Sequence, residues 1–308
     1  MLHAALVRTQ GYVVGAPLQA SGLHRHGGRA AWDHVGWNHP NVRGIAVNPS
    51  DPDQILLACG NGVLRSTDGG TTWRIATGWR VTEAQAVAID PSHPEHAYLA
   101  TAYGIWRSRD GGASWSPLDD SLAHSFTQAI AVDRRRTGHV LAGTWTGILR
   151  SLDGGDSWHP SGPGGVAIYS LAQSTHAPSV WLAGTLEQGL LRSTDGGRTW
   201  RRVPGTEGHT FHAVAFDPGG REHAAAGGWS TGVFFSDDAG RTWVRRGHAL
   251  PAPHLSRLAF DPAVPGRLWA ATVEQGVFYT DDAGHTWQRA GLGGALVYDL
   301  VFLPVRSP

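Results

Sequence analysis

The chemistry of this chain has to come from carboxylates, imidazoles, guanidinium groups and aromatic rings. All 25 of its cations are arginine, so Schiff-base and P-loop lysine chemistry is excluded. Cys59 is the single cysteine, which excludes an intrachain disulfide and a thiolate metal cluster. No G-x-S-x-G elbow is present for a serine nucleophile. Four carboxylates remain as catalytic candidates: Glu83, Glu187, Glu274 and Asp299. Glycoside hydrolysis needs two of them facing each other, about 5–5.5 Å apart for retention or about 6.5–9.5 Å for inversion. Glu187 and Glu274 share the setting L/V-E-Q-G, two repeats apart. Asp299 has Arg257 at the equivalent position of the preceding repeat, so a structural ion pair and a catalytic role are both open there. His39, His124, His209, His212 and His254 are candidate metal ligands. They fall at different offsets along their strands, whereas converging ligands share a level. No cofactor is expected.

The elements that must position these groups are read from internal repetition. One motif recurs as STDGGTTW (66–73), SRDGGASW (108–115), SLDGGDSW (151–158), STDGGRTW (193–200), SDDAGRTW (236–243) and TDDAGHTW (280–287). Its tryptophans are spaced by 42, 43, 42, 43 and 44 residues. Trp32, after GLHRHGGRAA, ends a decayed seventh copy. In each box the Ser and Asp can bond back to the turn, the glycines supply positive φ, and the Trp can wedge between neighbouring units. A second, apolar segment also occurs seven times: VRGIAVNP, AQAVAIDP, TQAIAVDR, IYSLAQST, FHAVAFDP, LSRLAFDP and VYDLVFLP. Each unit reads as strand, Asp-Pro turn, strand, loop, Gly-led strand, box, Trp strand. This predicts an all-β chain, a seven-bladed β-propeller of four-stranded antiparallel blades in one domain, 1–308. The expected blades are approximately 42–79, 84–122, 127–162, 168–205, 211–248, 255–292, and 297–308 together with 1–37. In this reading the C-terminal strand completes the N-terminal blade.

Strand alternation puts the Asp-Pro turns and boxes on one face and the second loops and blade links on the other. Counting back from the Asp of the Asp-Pro turn, position −3 is always aliphatic, and position −5 shares its face by alternation. Position −5 holds Arg43, Gln85, Gln128, Tyr169, His212, Ser256 and Tyr298. Seven side chains able to hydrogen-bond are therefore expected around the mouth of the central channel. His254 joins them from position −7, and Trp37, Trp79, Tyr103, Trp145 and Trp229 come from the loops and links. A polar bowl with aromatic walls suits a sugar-like ligand, because a ring stacks on Trp while Gln, Arg and His bond hydroxyls.

The box S-x-D-x-G-x-T-W resembles the Asp-box, or BNR, repeat. That repeat occurs in sialidases, sortilin-type receptors, xyloglucanases of tandem propellers and the photosystem II assembly factor family. The single-propeller size is most similar to the assembly-factor group and its bacterial BNR-repeat relatives. The resemblance implies the propeller fold; the chemistry differs among those families.

With 25 acidic against 25 basic residues, general electrostatic capture of nucleic acid or of an anionic membrane is not expected. No apolar run approaches a membrane span, and no secretory leader is read at the N-terminus. The expectation is a cytoplasmic monomer that binds a protein partner or a carbohydrate-like molecule at the face opposite the boxes. A glycosidase built on the carboxylates and a His-ligated metal site are the alternatives.

Overall fold

The structure is a computed structural model. It describes residues 11–17, 22–26, 32–34, 42–118, 125–219, 222–246, 250–252 and 254–302, with the first three stretches as backbone only. Trp37, His39 and His124 lie outside the described residues.

Three short strands come first: β1 (Gly11–Pro17), β2 (Gly22–His26) and β3 (Trp32–His34). The first blade is β4 (Val42–Val47), β5 (Ile55–Cys59), β6 (Gly62–Ser66) and β7 (Arg74–Ile75). The second is β8 (Ala84–Ile89), β9 (Ala97–Thr101), β10 (Gly104–Ser108) and β11 (Ser116–Pro117). The third is β12 (Thr127–Val132), β13 (Val140–Thr144), β14 (Gly147–Ser151) and β15 (His159–Ser161). The fourth is β16 (Ile168–Gln173), β17 (Trp181–Thr185), β18 (Leu190–Ser193) and β19 (Arg201–Arg202). The fifth is β20 (Ala213–Phe216), β21 (Ala224–Gly228), β22 (Gly232–Ser236) and β23 (Val244–Arg246). The sixth is β24 (Leu255–Phe260), β25 (Leu268–Thr272), β26 (Gly276–Thr280) and β27 (Gln288–Gly291), followed by β28 (Ala295–Phe302).

The expectation of a seven-bladed propeller is corrected here: the structure has six blades. Six blades are four-stranded antiparallel sheets of consecutive strands, each with its own box turn. What closes the ring is a sheet of another kind, in the order β28-β1-β2-β3, drawn from both ends of the chain. In it β28 pairs antiparallel with β1, from Gly11↔Phe302 to Pro17↔Ala295. The sequence differs there too: the segment before Trp32 has lost the box Asp and one residue.

The second strand of every blade is fully buried along its length. That explains why these strands read as continuous apolar runs instead of alternating ones: a neighbouring blade covers each face. Leu56 and Ala58 pack with Val87 and Leu99 of the second blade, while Leu57 and Cys59 pack with Ile45, Leu64 and Val301. Toward the axis the inner strands nearly touch. A Cβ built on Gly44 would lie 3.2 Å from the Ala86 Cα, so small residues there are a packing requirement.

The six box turns share their Ser/Thr–Asp–Gly bonds, and five of them share the tryptophan bond as well; in the sixth, Trp287 Nε1 is buried without a partner. Ser66 Oγ donates to Asp68 Oδ1 (2.7 Å) and accepts from the Gly70 N–H (2.9 Å). Asp68 accepts from the Thr72 N–H (2.8 Å) and hydroxyl (2.6 Å), and Trp73 Nε1 donates to the Gly70 carbonyl (2.9 Å). The Ser/Thr–Asp–Gly bonds recur through Thr280, Asp282 and Gly284 of the sixth blade. Neighbouring blades are tied at the same level. Arg65 Nε donates to the Gly111 carbonyl (2.8 Å), Arg107 Nη1 to that of Gly154 (2.6 Å) and Arg192 Nε to that of Ala239 (2.9 Å).

Candidate functional site

The channel mouth is built by an irregularity shared by most of the inner strands. In β4, β8, β12, β16 and β24 the pairing register shifts, leaving Arg43, Gln85, Gln128, Tyr169 and Ser256 without a partner on the next strand. The β28 pairing shifts in the same way at Tyr298, and His212 directly precedes β20. A bulge bends the strand and re-aims the extra side chain. Alternation alone had put position −5 on the face of −3; the bulge is the feature that turns it to the axis. All seven −5 residues line a single cavity of ≈ 270 Å³. Ile45, Val87, Ile130 and Leu171, from position −3, form part of its wall.

The cavity has two unlike halves. One is aromatic. Trp145, itself outside the lining, meets Tyr169 edge-on (6.3 Å between centroids), Tyr169 leans on His212 (4.6 Å), and His212 stacks on Trp229 (5.1 Å, 23°). His254 continues the row against Trp229 at 5.5 Å but does not itself line the cavity. Burial lowers the His212 pKa to about 4, so its ring is neutral at pH 7. Its Nδ1 accepts from the Trp229 N–H at 3.4 Å, which assigns the ring proton to Nε2.

The other half is polar. Arg43 Nη1 donates to Gln85 Oε1 (2.6 Å), and Gln85 Nε2 to the Glu83 carbonyl (3.1 Å). Arg43, Arg257 and Asp299 are the charged residues of the lining. Asp299 accepts from the Ile45 N–H (3.1 Å) and its own neighbour Leu300 N–H (2.9 Å). Arg257 Nε lies 2.9 Å from Asp299 Oδ1, yet that N–H is not aligned for a hydrogen bond and Nε is buried without a partner. Desolvation is the main influence on Asp299 and raises its pKa, against the Arg257 charge and the two N–H bonds. The pair therefore staples β24, β28 and β4 together.

The remaining candidate carboxylates lie apart from this cavity. Glu83, Glu187 and Glu274 are exposed, and all three have left-handed backbone (φ 51°, 56° and 71°) at the mouth-side loops. Glu83 accepts from the Tyr103 hydroxyl (3.1 Å), and the Glu187 N–H donates to Thr210 Oγ1 (3.0 Å). His209 packs on Phe211 and Phe234, away from His212. Among the described residues no three His, Cys, Asp or Glu side chains converge as metal ligands. Burial pushes the Cys59 thiol up to about 12, far from a reactive thiolate. Trp79 is 84 % exposed, Tyr103 58 %, Trp229 52 % and Trp145 48 %. Every large aromatic exposed among the described residues thus sits on the mouth face. Sequence reasoning missed the bulges; the Arg257–Asp299 ion pair was legible, because these two stand at −4 where other repeats have Gly, Ala or Ser.

No family model and no curated protein matches the sequence. Solved structures do, and they define the chain as a β-propeller. It is similar to an ancestral GH74 enzyme (18% identity, TM-score 0.70), covering 82% of this chain and 38% of that one. It is similar to the GH74 enzyme of Niastella koreensis (16% identity, TM-score 0.69), covering 89% and 51%. The chain thus spans only about half or less of those enzymes. It matches YCF48 bound to D1 peptide over most of both chains, 80% and 81%, with 22% identity and TM-score 0.61. At these identities the likeness is one of fold. Among the described residues no helix is long and apolar enough to cross a membrane.

Proposed function

We propose that this chain is a recognition propeller without chemistry of its own, which takes a protein partner or a polyhydroxyl ligand at the bulge-lined channel mouth. The observation that carries the reading is the placement of Trp79, Tyr103, Trp145 and Trp229, all exposed, on that one face. Exposed rings are unfavourable in water unless something covers them, and Trp and Tyr are the residues that dominate binding surfaces. The likeness in length and fold to YCF48, whose structure carries a D1 peptide, supports a protein partner. Likeness of fold to GH74 enzymes supports a sugar chain in the same place.

The test is a parallel screen on glycan and peptide arrays, followed by titration of each hit against wild type and the Trp145→Ala/Trp229→Ala variant. Expected is a loss of at least about tenfold in affinity, the effect of removing two stacking rings. A hit that binds both proteins equally well places recognition elsewhere. Shortening of a bound oligosaccharide during incubation would show turnover and overturn the non-catalytic reading.

A further inference from the structure

Between the box ends of the fourth and fifth blades, on the side of the ring away from the mouth, lies a cavity of ≈ 490 Å³. Its lining holds four guanidinium groups, Arg192, Arg201, Arg202 and Arg241, against one carboxylate, Asp195. Register brings the first two together. Arg192 on β18 stands directly opposite Arg201 on β19, so both side chains leave the same face of the blade. Arg241 comes from the box of the next blade. Arg202 is occupied elsewhere, donating to Gln188 Oε1.

A counter-charge is missing here that another pair of blades has. Arg107 is the equivalent of Arg192 two blades earlier. Ser116 stands opposite it, and Asp156, the sixth residue of the following box, lies 2.7 Å from its Nη1. In the fifth blade's box that sixth residue is Arg241. The carboxylates nearby do not replace Asp156. Asp195 accepts from the Ser193 hydroxyl (2.8 Å) and from the Thr199 N–H (2.9 Å) and hydroxyl (2.6 Å). Asp238 is held by its own box in the same way. Glu222 is exposed and stands 3.7 Å from Arg241, too far for a hydrogen bond. Like charges directly opposite across a strand pair are destabilising. The strain shows at Arg192, whose pKa is lowered by burial first and by the Arg241 charge next. Arg192 Nε donates to the Ala239 carbonyl (2.9 Å), which fixes the group and leaves its Nη atoms as further donors. Arg241 Nη1 reaches the Asp238 carbonyl at 3.2 Å, a neutral acceptor that leaves its charge unpaired.

A carboxylate has two oxygens in one plane and is satisfied by one guanidinium fork. Three guanidinium groups, from two strands and a neighbouring box, match three oxygens on one tetrahedral centre. We infer that this notch binds a tetrahedral oxyanion ester, its terminal oxygens held by Arg192, Arg201 and Arg241. The site is separate from the mouth and does not rest on the reading given for it.

A phosphate monoester and a sulfate ester share that chemistry, and the experiment separates them. Calorimetric titrations on the full chain at low salt use phenyl phosphate, phenyl sulfate and benzoate as probes. At least one ester is expected to bind about tenfold or more tighter than benzoate, and the tighter of the two esters names the source. Arg201→Gln and, separately, Arg241→Gln should each weaken the ester about tenfold. Both residues are exposed, so these variants keep the fold. Arg241→Asp gives Arg192 the counter-charge that Arg107 has; it should abolish ester binding and raise the midpoint of urea unfolding. The Trp145→Ala/Trp229→Ala variant should bind the esters as wild type does. No binding of either ester at about 10 mM, or no preference over benzoate, overturns the inference. Ester affinity unchanged in both Arg201→Gln and Arg241→Gln overturns it too, as does affinity lost in the tryptophan variant alone, because the anion would then be held at the mouth.

Discussion

At the scale of single residues, the box turns contain their own controls. The residue after the box Asp is glycine in four blades, with φ of 67° at Gly69, 67° at Gly111, 71° at Gly154 and 74° at Gly196. In the last two blades it is Ala239 (φ 55°) and Ala283 (φ 53°). A Cβ in left-handed backbone costs roughly 1–2 kcal/mol, partly offset by the looser unfolded chain of glycine. Ala239→Gly and Ala283→Gly are each expected to stabilise the protein by about 0.5–1 kcal/mol, read as a higher midpoint in urea unfolding. A lower midpoint in both would mean that the alanine methyls, Ala239 being buried, hold more packing energy than the backbone strain takes away. Residue types were the most legible level of the sequence. Arg43, Gln85, Gln128, Tyr169, His212, Ser256 and Tyr298 share one cavity and could be counted off from the Asp-Pro turn. The pairing of His212 with Trp229 could not, because nothing in a list of residues says which of two loop rings turns inward.

At the scale of elements, the boxes act as small acid-sensitive clasps. For Asp68 the Thr72 hydroxyl, and for Asp153 the Ser157 hydroxyl, is the largest influence, and both carboxyls are held down to about 2. For Asp110, Asp195 and Asp282 burial pushes upward and is outweighed by hydroxyl and backbone N–H bonds, again giving about 2. A carboxyl with a folded value below its ordinary value of about 3.9 favours the fold above that pH, and its contribution is lost as pH falls toward the folded value. Asp299, raised by desolvation, acts in the opposite sense, one carboxyl against the boxes. Stability is therefore expected to be flat only above about pH 7, to decline as pH drops below about 6.5 because the buried His212 takes a proton only near 4, and to fall further between about pH 4 and pH 2 through the boxes. Asp153→Asn should flatten part of that fall. Urea midpoints that are the same at both ends of this range would show that the clasps do not contribute. The bulges belong to this scale too, and they were not legible. A register shift leaves no mark on the strand that carries it, because VRGIAV and AQAVAI read as regular strands until their partners are placed. The cross-blade grip of Arg65 on Gly111 and Arg107 on Gly154 was hidden for the same reason: its partners are a whole repeat apart.

At the scale of the whole molecule, the question is whether the mixed sheet is as tight a wedge as the repeat-built blades. The sequence made the ring and its closing strand legible, since VYDLVFLP repeats the inner-strand pattern. It overstated the number of blades, because the closing sheet drawn from both ends of the chain is not a seventh blade. Position −3 allows a direct comparison. Leu258 in the sixth blade and Leu300 in β28 are equivalent, and their exposures are 2 % and 3 %. Leu258 packs among Leu255, Phe260, Leu268 and Phe278, within one cluster of the fifth and sixth blades. Leu300 packs with Trp269, Ala271, Val277 and Val297, so it joins the sixth blade to the seam. Truncating a buried leucine removes about 2–5 kcal/mol, and the value depends on how well the site can collapse around the gap. If the seam is as rigid as the blades, Leu300→Ala and Leu258→Ala should lower stability by similar amounts within that range and leave unfolding cooperative. A seam that opens on its own would instead give Leu300→Ala a small effect on the main transition and a separate early one, seen as exchange of β28 amides without exchange of β24. Equal loss from both variants ties the two arginines of the mouth to one rigid frame, because Arg257 and Arg43 flank β28. An early opening of β28 would carry Asp299 away from Arg257 and let the two arginines drift apart, so the channel mouth would loosen along with the ring's closure.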